Sequence, residues 1–474
     1  MATDDLVYLS AADVLIAFRS KALSPVEYLD ALIDRIERLE PTLNAVADRR
    51  YDEARAEAIA SAGRYAGDGS AALALDGLPV AAKEEHVMTG RSWSQGSLAL
   101  VDEIGRHDHP IIERIQAAGG IIHIRTTTPE FCCAPYCHSR HWGITRNPWN
   151  TQYSPGGSSG GSGVALAAGY APLATGSDIG GSIRIPASLS GVVGFKAPYG
   201  RVPALPPYNL DQYCHDGALA RTVADCALLE DVVAGQHWRD IVGLPNPPQV
   251  ATAGSDVRGL RVALCVSLGD WPLDEGVEAN TRAAATALAA AGAVVEEVTL
   301  PWTVEQIWAA AQAHFAAIMA AGIAEIDDLH GDLLSDYTRA FAATTNAPGL
   351  GFYEGLELEG RLWKPLGLLF QEFDALVCPT MATTGYVAGE PYLEPMAVGG
   401  RTVPHNILGA MTLPFNILSR CAVLSVPSGL APNGVPTGVQ VVSRPYDDVT
   451  AFRLAAAVEQ HGVGFTHANW RPAI

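Results

Sequence analysis

Two glycine-rich stretches contain the serines whose type and spacing could support nucleophilic chemistry. Residues 154–163 read Ser-Pro-Gly-Gly-Ser-Ser-Gly-Gly-Ser-Gly, and residues 176–186 read Gly-Ser-Asp-Ile-Gly-Gly-Ser-Ile-Arg-Ile-Pro. Glycine costs chain entropy on folding, so dense glycine marks backbone that turns sharply or approaches a ligand. A serine hydroxyl is a weak nucleophile at neutral pH and needs a neighbouring base. The two stretches therefore indicate functional loops, with Ser158 and Ser182 as the candidate reactive serines.

Three known loop types can be compared with residues 154–163. A Walker phosphate-binding loop needs Lys and then Ser or Thr after its last glycine, and no lysine follows Gly161. The glycine spacing of a dinucleotide-binding loop is also missing. Residues 156–160 do match the Gly-x-Ser-x-Gly nucleophile elbow, which would make Ser158 the nucleophile of an α/β-hydrolase esterase. An elbow follows a buried strand, whereas residues 147–155 are polar and broken by prolines, so the esterase is the weaker alternative.

The two stretches together, with the 24-residue step from Ser158 to Ser182, resemble the amidase signature. Residues 77–83, Gly-Leu-Pro-Val-Ala-Ala-Lys, resemble the strand that carries the lysine of that family. Residues 219–225 and 434–440 resemble a further helix start and a C-terminal strand of the same family. The sequence thus resembles that of an amidase signature serine hydrolase, closely over residues 70–230 and loosely elsewhere.

The resemblance implies a Ser-cisSer-Lys triad. Ser182 would be the nucleophile, Ser158 the proton shuttle held by a cis Gly157–Ser158 peptide, and Lys83 the neutral base. A lysine can act as a base only if burial and its neighbours lower its pKa towards the working pH. We therefore expect Lys83 to be buried and the activity to rise towards alkaline pH.

Further site residues follow from the same resemblance. Asp178 and Arg184 would orient the loop that holds the nucleophile, and Cys132 and Cys133 would contact the substrate. No metal and no organic cofactor is expected. Glycines let consecutive backbone N–H groups converge on a tetrahedral intermediate. The predicted oxyanion hole consists of the backbone of Ile179, Gly180, Gly181 and Ser182.

The expected reaction is hydrolysis of a carboxylic amide C–N bond through an acyl-enzyme on Ser182. Aryl, aliphatic and primary amides and carbamates (urethanes) all stay open as substrates, as do urethanase and esterase side activities. The alternative is a glutamine-dependent amidotransferase subunit, because that group shares the signature. The expected partner is a small amide or carbamate substrate, and the chain is expected to be a monomer or a homodimer.

An α/β fold must position these loops. A capping box that begins at Ser24 predicts a helix start, and apolar runs such as residues 121–124 alternate with helical segments. The resemblance implies a large mixed central β-sheet flanked on both faces by helices. We expect one catalytic domain over residues 1–474, with N-terminal helices over about 1–70 and a variable helical substrate-pocket insertion over about 300–410.

Nine aromatic residues in that insertion could form a pocket, although aromatics at helical spacing more often belong to a core. These residues are Trp302, Trp308, Phe315, Tyr337, Phe341, Phe352, Tyr353, Trp363 and Phe370.

Composition limits the partners and the location. The 51 Asp and Glu against 31 Lys and Arg give a formal charge of −20, which repels nucleic acid and anionic membranes, so neither partner is expected. The N-terminus is acidic where a secretory signal needs bases, and no apolar run reaches the roughly 18 residues of a membrane span. Eight cysteines are too few for a disulfide scaffold in 474 residues. We therefore expect a soluble cytoplasmic protein, whose loop at residues 132–141 is lined by thiols and binds no metal.

Overall fold

A central mixed β-sheet organises the chain. The computed structural model describes residues 3–67, 72–462 and 470–474. Within these residues, eleven strands form one sheet, and four more form two short two-stranded sheets. In chain order the strands are β1 (Val46–Arg49), β2 (Pro79–Lys83), β3 (Ile121–Thr126), β4 (His138–Ser139), β5 (Gly143–Ile144), β6 (Leu173–Asp178), β7 (Val193–Lys196), β8 (His215–Ala220), β9 (Arg261–Leu264), β10 (Val294–Glu297), β11 (Ala375–Pro379), β12 (Met396–Val398), β13 (Arg401–Val403), β14 (Cys421–Leu430) and β15 (Pro436–Pro445).

The eleven-stranded sheet has the order β1-β3-β2-β6-β8-β7-β14-β15-β11-β9-β10. β2 is parallel to β3 and β6, and β9 is parallel to β10 and β11. The strands between β6 and β11 pair in antiparallel fashion, as do β1 and β3. The hairpin of β14 and β15 lies between β7 and β11, so it joins two halves of the sheet that are built from earlier parts of the chain.

Fifteen α-helices lie in the described residues: α1 (Thr3–Val7), α2 (Ala11–Arg19), α3 (Pro25–Leu43), α4 (Tyr51–Ala66), α5 (Pro110–Ala117), α6 (Gly160–Ala167), α7 (Arg184–Ser190), α8 (Val223–Val233), α9 (Glu275–Ala290), α10 (Val304–Ala317), α11 (Met319–His330), α12 (Asp336–Ala343), α13 (Phe352–Glu372), α14 (Pro414–Ile417) and α15 (Asp448–His461). Helices α5, α8, α9 and α15 cover one face of the sheet. Helices α6 and α7 cover the other face, together with the group α10 to α13. The predicted α/β class with helices on both faces is confirmed.

Among these described helices, no single one is both long and apolar enough to cross a membrane. The bent pair formed by residues 304–317 and 319–333 reaches that length and composition only when its two segments are taken together.

The alternation of side chains along β2 places Lys83. Val80 and Ala82 belong to the core under α5 and α8, whereas Ala81 packs with residues of α6 on the second face. Successive side chains of a strand point to opposite faces, so Lys83 points to the same side as Ala81. All five residues of β2 are buried. The strand thus delivers a lysine into the interior beneath α6.

The predicted helix start at Ser24 is confirmed. The Ser24 hydroxyl accepts the N–H of Glu27, and the Glu27 carboxylate accepts the N–H of Ser24, so both halves of the capping box are present at the start of α3. Helices α1 to α4 fill the predicted N-terminal helical segment, with β1 inserted before α4. That segment and the predicted domain also include residues 1–2, 68–71 and 463–469, which lie outside the described residues.

The helical insertion is shorter than predicted. Helices α10 to α13 end at Glu372, and β11 then returns to the central sheet. Leu376 faces the core under α10 to α13, whereas Val377 faces the opposite core, so packing on both sides holds this segment as a buried strand. Residues 380–410 contain the hairpin of β12 and β13 with irregular backbone. The predicted helical boundary near 410 is corrected to 372.

Candidate active site

Lys83 lies at the end of β2 with a fully buried side chain. Its Nζ lies 2.7 Å from Oγ of Ser158, 2.7 Å from Oγ of Ser177 and 2.9 Å from Oε2 of Glu85. Ser177 in turn donates its hydroxyl proton to Glu85 Oε2 at 2.5 Å. A protonated lysine has three N–H donors and no acceptor. The three oxygen partners therefore match an ammonium group.

The neighbours of Lys83 favour its protonated form at rest, whereas the predicted base acts in its neutral form. Burial lowers the pKa of Lys83, but attraction to Cys132 and Glu85 outweighs burial and raises this pKa above its ordinary value. Burial raises the pKa of the Cys132 thiol to about 12, so Glu85 is the partner that is charged at neutral pH. Burial also opposes the charge of Glu85, but attraction to Lys83 lowers the pKa of Glu85 to about 2. The structure thus holds a Lys83–Glu85 ion pair, and a neutral lysine forms only after a proton leaves.

Ser158 and Ser182 are carried by two loops that precede helices on the second face. Ser158 is fully buried just before α6, and the Gly157–Ser158 peptide is cis, as the resemblance implied. Ser182 lies just before α7 and is 7% exposed. The N–H of Ser159 donates to the carbonyl oxygen of Ser182 at 3.2 Å, which ties the two loops together. The Ser182 hydroxyl has no hydrogen-bond partner among the described residues.

Close contacts of the backbone explain two of the glycines. A Cβ on Gly157 would lie 2.4 Å from the carbonyl oxygen of Tyr136, and a Cβ on Gly181 would lie 2.2 Å from Oγ1 of Thr412. Gly181 also has a φ of +127°, a conformation that residues with a Cβ rarely adopt. Both serine loops therefore need glycine to approach the segments that support them.

A buried ion pair supports the loop between β6 and α7. Nη2 of Arg184 lies 2.8 Å from Oδ1 of Asp178, and both side chains are fully buried. The same carboxylate accepts the N–H of Gly181 at 2.9 Å and the N–H of Ile183 at 3.2 Å. Burial raises the pKa of Asp178, but the Arg184 guanidinium outweighs burial and holds this pKa well below its usual range. The loop is thus wrapped around a permanently charged carboxylate.

One predicted oxyanion donor is engaged elsewhere. Because the N–H of Gly181 donates to Asp178, it is not available to a bound oxyanion, and the prediction is corrected for this residue. Three N–H groups of the predicted set have no hydrogen-bond partner within residues 3–67, 72–462 and 470–474. They belong to Ile179, Gly180 and Ser182.

Two cavities meet beside this loop. The narrow cavity has a volume of about 40 Å³, and the wide cavity has a volume of about 420 Å³. The narrow cavity is lined by residues that include Gly180, Ser182, Cys133, Trp308, Phe315 and Phe341. The wide cavity is lined by residues that include Glu85, Ser177, Trp93, Phe131, Asp216 and Ile323. Both cavities share Cys132, Ile179 and Met319.

Comparisons with known proteins identify the family. A family model described as Amidase matches residues 27–452 of the chain. The chain is 32% identical over 485 residues to a glutamyl-tRNA(Gln) amidotransferase subunit of Chloroflexus aggregans, with 96% of this chain and 97% of that protein covered.

The chain belongs to the amidase signature family.

Solved structures of amidases confirm the predicted fold. A bacterial aryl acylamidase of the amidase signature family matches with a TM-score of 0.90 at 27% identity, covering 98% of each chain. The 6-aminohexanoate cyclic dimer hydrolase, solved with its substrate, matches with a TM-score of 0.85 at 28% identity, covering 98% of this chain and 99% of that one. The predictions of the amidase-signature fold and of an amidase are therefore confirmed.

The sequence reasoning missed two partners of the lysine in this amidase. Ser177 and Glu85 both contact Lys83 Nζ. Ser177 lies inside the second glycine-rich stretch, and Glu85 follows the lysine by two residues. A carboxylate so near a lysine that is predicted to be buried is a signal that could have revealed the ion pair.

The sequence reasoning also missed the residues from the C-terminal part of the chain that support the Ser182 loop. Arg184 donates to Oε1 of Gln440 at 2.7 Å and to Oδ1 of Asn416 at 2.7 Å. The Thr412 hydroxyl donates to the carbonyl oxygen of Gly180 at 2.6 Å, which orients the peptide that carries the Gly181 N–H. These residues lie far from the amidase signature in sequence, and no local pattern links them to it.

The nine aromatic residues of the predicted insertion divide into three groups. Trp308, Phe315 and Phe341 line the narrow cavity. Phe352, Tyr353 and Trp363 are exposed, whereas the remaining three are buried in the core. Those three are Trp302, Tyr337 and Phe370.

A group of potential metal ligands lies at the wall of the wide cavity. In the described residues, ligand atoms of His86, His109 and Asp216 lie within 4.8 Å of one another. Hydrogen bonds account for the group, because His86 Nε2 lies 2.9 Å from Asp216 Oδ1. The N–H of Ile111 donates to His109 Nδ1 at 3.3 Å, which assigns the proton of the neutral ring to Nε2, facing Asp216. A nitrogen that carries this proton has no lone pair for a metal.

Proposed function

We propose that this amidase hydrolyses carboxylic amides through an acyl-enzyme on Ser182, with Ser158 as the proton relay and Lys83 as the base. The observation that carries the proposal is the 2.7 Å contact between Lys83 Nζ and Ser158 Oγ at a fully buried site beside the Ser182 loop. Among the described residues, the basic side chain in contact with Ser158 Oγ is that of Lys83, and no histidine contacts this oxygen. A base within hydrogen-bond reach of a serine is the arrangement that nucleophilic catalysis needs.

The reaction begins when the Lys83 ammonium has lost a proton. Ser182 Oγ then attacks the carbonyl carbon while its proton passes to Ser158, and the Ser158 proton passes to Lys83. When the C–N bond breaks, the same relay returns a proton to the departing amine. Water then attacks the acyl-enzyme, and the carboxylic acid leaves. Because Glu85 stabilises the ammonium, the rate rises with pH as Lys83 deprotonates.

The oxyanion hole in this proposal consists of fewer groups than the sequence indicated. Developing negative charge on the carbonyl oxygen is stabilised by N–H groups that are already oriented. The groups of this loop that have no other partner in the described part of the chain are those of Ile179, Gly180 and Ser182. Asp178 and Arg184 hold this loop in place, and Cys132 and Cys133 contact the substrate from the cavity walls.

The test compares Ser182→Ala with Ser188→Ala on p-nitroacetanilide. Ser188 is a buried serine whose hydroxyl has no partner among the described residues, so it serves as the matched control. We expect Ser182→Ala to lose at least about 10³-fold in kcat and Ser188→Ala to stay within a few-fold of wild type. Mass spectrometry of a quenched wild-type reaction should place an acetyl group on the peptide that contains Ser182. Turnover by Ser182→Ala near the wild-type rate would overturn the proposal.

A second candidate function is that of a glutamine-dependent amidotransferase subunit. The relative from Chloroflexus aggregans that is named as such a subunit favours it, because the two sequences align over 96% of this chain. Glutamine hydrolysis decides between the two functions. A glutaminase rate above that for any anilide, dependent on Ser182, would favour the subunit.

Further parts of the proposal concern the range of substrates, the domain organisation, the cellular location and the oligomeric state. We propose that carbamates (urethanes) enter the same site, since they present the same carbonyl and a C–N bond, and that esters are cleaved as a side activity. We propose one catalytic domain, because strands from both ends of the chain pair in one sheet. All eight cysteines are free, which supports a cytoplasmic setting. A monomer or homodimer is the proposed assembly, and sedimentation measures it.

A further inference from the structure

The position of the proton relay distinguishes the two cavities. Glu85 and Ser177 contact Lys83 Nζ, and both line the wide cavity. Ser182 and Gly180 line the narrow cavity. A departing amine must receive its proton from the relay, so the amine lies on the side of Ser182 where the relay stands. The acyl group then occupies the other side.

We propose that the wide cavity holds the amine part of the substrate and the narrow cavity the acyl part, so that this enzyme cleaves amides of a small acyl group with a bulky aryl amine that carries no negative charge. This inference rests on the proposed acyl-enzyme at Ser182 and deepens it by naming the substrate class.

The volumes decide which part of the substrate is small. An apolar cavity of about 150 Å³ accepts a benzene ring. The narrow cavity, at about 40 Å³, is well below that size and suits an acetyl group or the short alkoxy group of a carbamate. The wide cavity, at about 420 Å³, holds an aromatic ring with substituents and falls in the range of small-molecule sites.

The walls of the wide cavity select for an aromatic body. Trp93, Phe131 and Tyr208 contribute rings, and Ile323 and Ile326 from α11 contribute apolar side chains. Aromatic pairs gain energy beyond their buried area when they stack with an offset or meet edge to face. An aryl amine therefore finds more favourable contacts here than an alkyl amine of equal size.

The charges of the wide cavity exclude anions. Asp216 places a carboxylate at its wall, the Glu85 carboxylate is paired with Lys83, and no lysine or arginine is among the described residues that line it. Burial lowers the pKa of His109 to about 4, so this ring adds no positive charge at neutral pH. A carboxylate on the amine part of the substrate would face the like charge of Asp216 in a desolvated space, which costs free energy. Neutral and cationic substituents avoid that cost.

The substrate test uses two isomers with opposite polarity of the amide bond. Acetanilide has a small acyl group and an aryl amine, whereas N-methylbenzamide has an aryl acyl group and a small amine. We expect kcat/KM to be at least 100-fold higher for acetanilide. Benzanilide, which keeps the aryl amine and enlarges the acyl group, should fall at least tenfold below acetanilide. Among para-substituted acetanilides, 4-acetamidobenzoate should fall at least tenfold below 4-methylacetanilide.

A variant pair tests the assignment of the wide cavity directly. Gly322 on α11 lines this cavity, and a Cβ there meets no atom within 4 Å, so Gly322→Trp fills its space without a backbone clash. Gly360 on α13 is exposed and equally free of contacts, which makes Gly360→Trp the matched control. We expect Gly322→Trp to lower the ratio of kcat/KM for acetanilide to that for acetamide at least tenfold. Gly360→Trp should leave this ratio within twofold.

The outcomes of these tests distinguish a failure of the cavity assignment from a failure of the proposed acyl-enzyme mechanism. Faster cleavage of N-methylbenzamide than of acetanilide, still abolished by Ser182→Ala, would overturn the cavity assignment and leave the acyl-enzyme standing. An unchanged ratio in Gly322→Trp would also overturn the assignment. Cleavage of acetanilide that persists in Ser182→Ala would instead overturn the proposed nucleophile.

Discussion

Two buried lysines at strand ends show how differently this protein treats the same side chain. Lys83 ends β2 and Lys196 ends β7, and both are fully buried. Around Lys83, two hydroxyls and a carboxylate surround the nitrogen. Around Lys196, the partners are backbone carbonyl oxygens, such as those of Ser419 at 3.2 Å and Cys421 at 3.1 Å. A countercharge contacts the nitrogen of Lys83, whereas carbonyl oxygens contact the nitrogen of Lys196.

The difference separates the effect of burial from the effect of charge. At Lys196, burial and the repulsion of Arg184 lower the pKa to about 7. At Lys83, burial acts in the same direction, but attraction to Cys132 and Glu85 reverses the effect and raises the pKa. Burial of a lysine is therefore not enough to produce a neutral base. The carboxylate of Glu85, two residues along the chain, is a countercharge that favours the protonated form of Lys83.

The largest effect expected from this comparison concerns turnover. Lys83→Met removes the proposed base next to Ser158, and general base catalysis contributes about 10²–10⁴-fold. We expect this variant to lose about 10³-fold in kcat for p-nitroacetanilide. Lys196→Met removes an equally buried amine that lies apart from both serines, and it should keep kcat within tenfold of wild type. If both variants are folded by circular dichroism and lose kcat to a similar extent, the proposed difference between the two lysines is wrong.

The next effect concerns stability. An unfolded Lys196 titrates near its ordinary value of 10.5, whereas the folded one titrates at about 7. Between these values the unfolded state binds more protons, so the free energy of unfolding rises with pH, on the order of 1 kcal/mol per pH unit. We expect the urea midpoint of wild type to increase from pH 7 to 9 relative to that of Lys196→Met. The exposed Lys364→Met should follow wild type. A difference between wild type and Lys196→Met that stays constant with pH would contradict a neutral Lys196.

The smallest effect makes the surroundings of Lys83 similar to those of Lys196. Glu85→Gln keeps the shape of the side chain and removes the charge, so burial then lowers the pKa of Lys83. We expect the midpoint of the rising limb of kcat/KM to move to lower pH by at least about one unit, which corresponds to about 1.4 kcal/mol. The plateau value of kcat/KM can also fall, so the quantity to compare is the pH at the midpoint of the rising limb.

Glu84→Gln is the control for this variant. Its carboxylate accepts the N–H of Ser94 at 2.7 Å and makes no contact with Lys83 Nζ. In this variant, the rising limb of kcat/KM should keep the same midpoint pH as in wild type. A limb that does not move in Glu85→Gln would show that another group holds the proton on the lysine.

Sequence patterns predicted the parts of the site that depend on local chemistry. The glycine-rich stretches, the capping box at Ser24 and the apolar residues before Lys83 each reflect constraints within a few residues. The buried contact between Lys83 and Ser158 agrees with the triad that the resemblance implied. These elements were predictable because backbone turns, helix starts and strand alternation are short-range properties.

The remaining parts depend on contacts that no short segment contains. The engagement of the Gly181 N–H by Asp178 could not be read from a glycine pattern, because it depends on the path of the backbone. The raised pKa of Lys83 reflects a balance between burial and Glu85 that needs coordinates. Asn416 and Gln440 reach Arg184 only after the whole sheet has formed.

The place of β14 and β15 within the sheet has a consequence for synthesis of the protein. A ribosome releases the stretch with Ser182 long before it makes the hairpin that joins the two halves of the sheet. Throughout that interval Arg184 lacks its partners Asn416 and Gln440, so the nascent chain carries the proposed nucleophile without the side chains that support its loop. The loop that holds Ser182 therefore gains its full set of supports only after the ribosome has made residue 440.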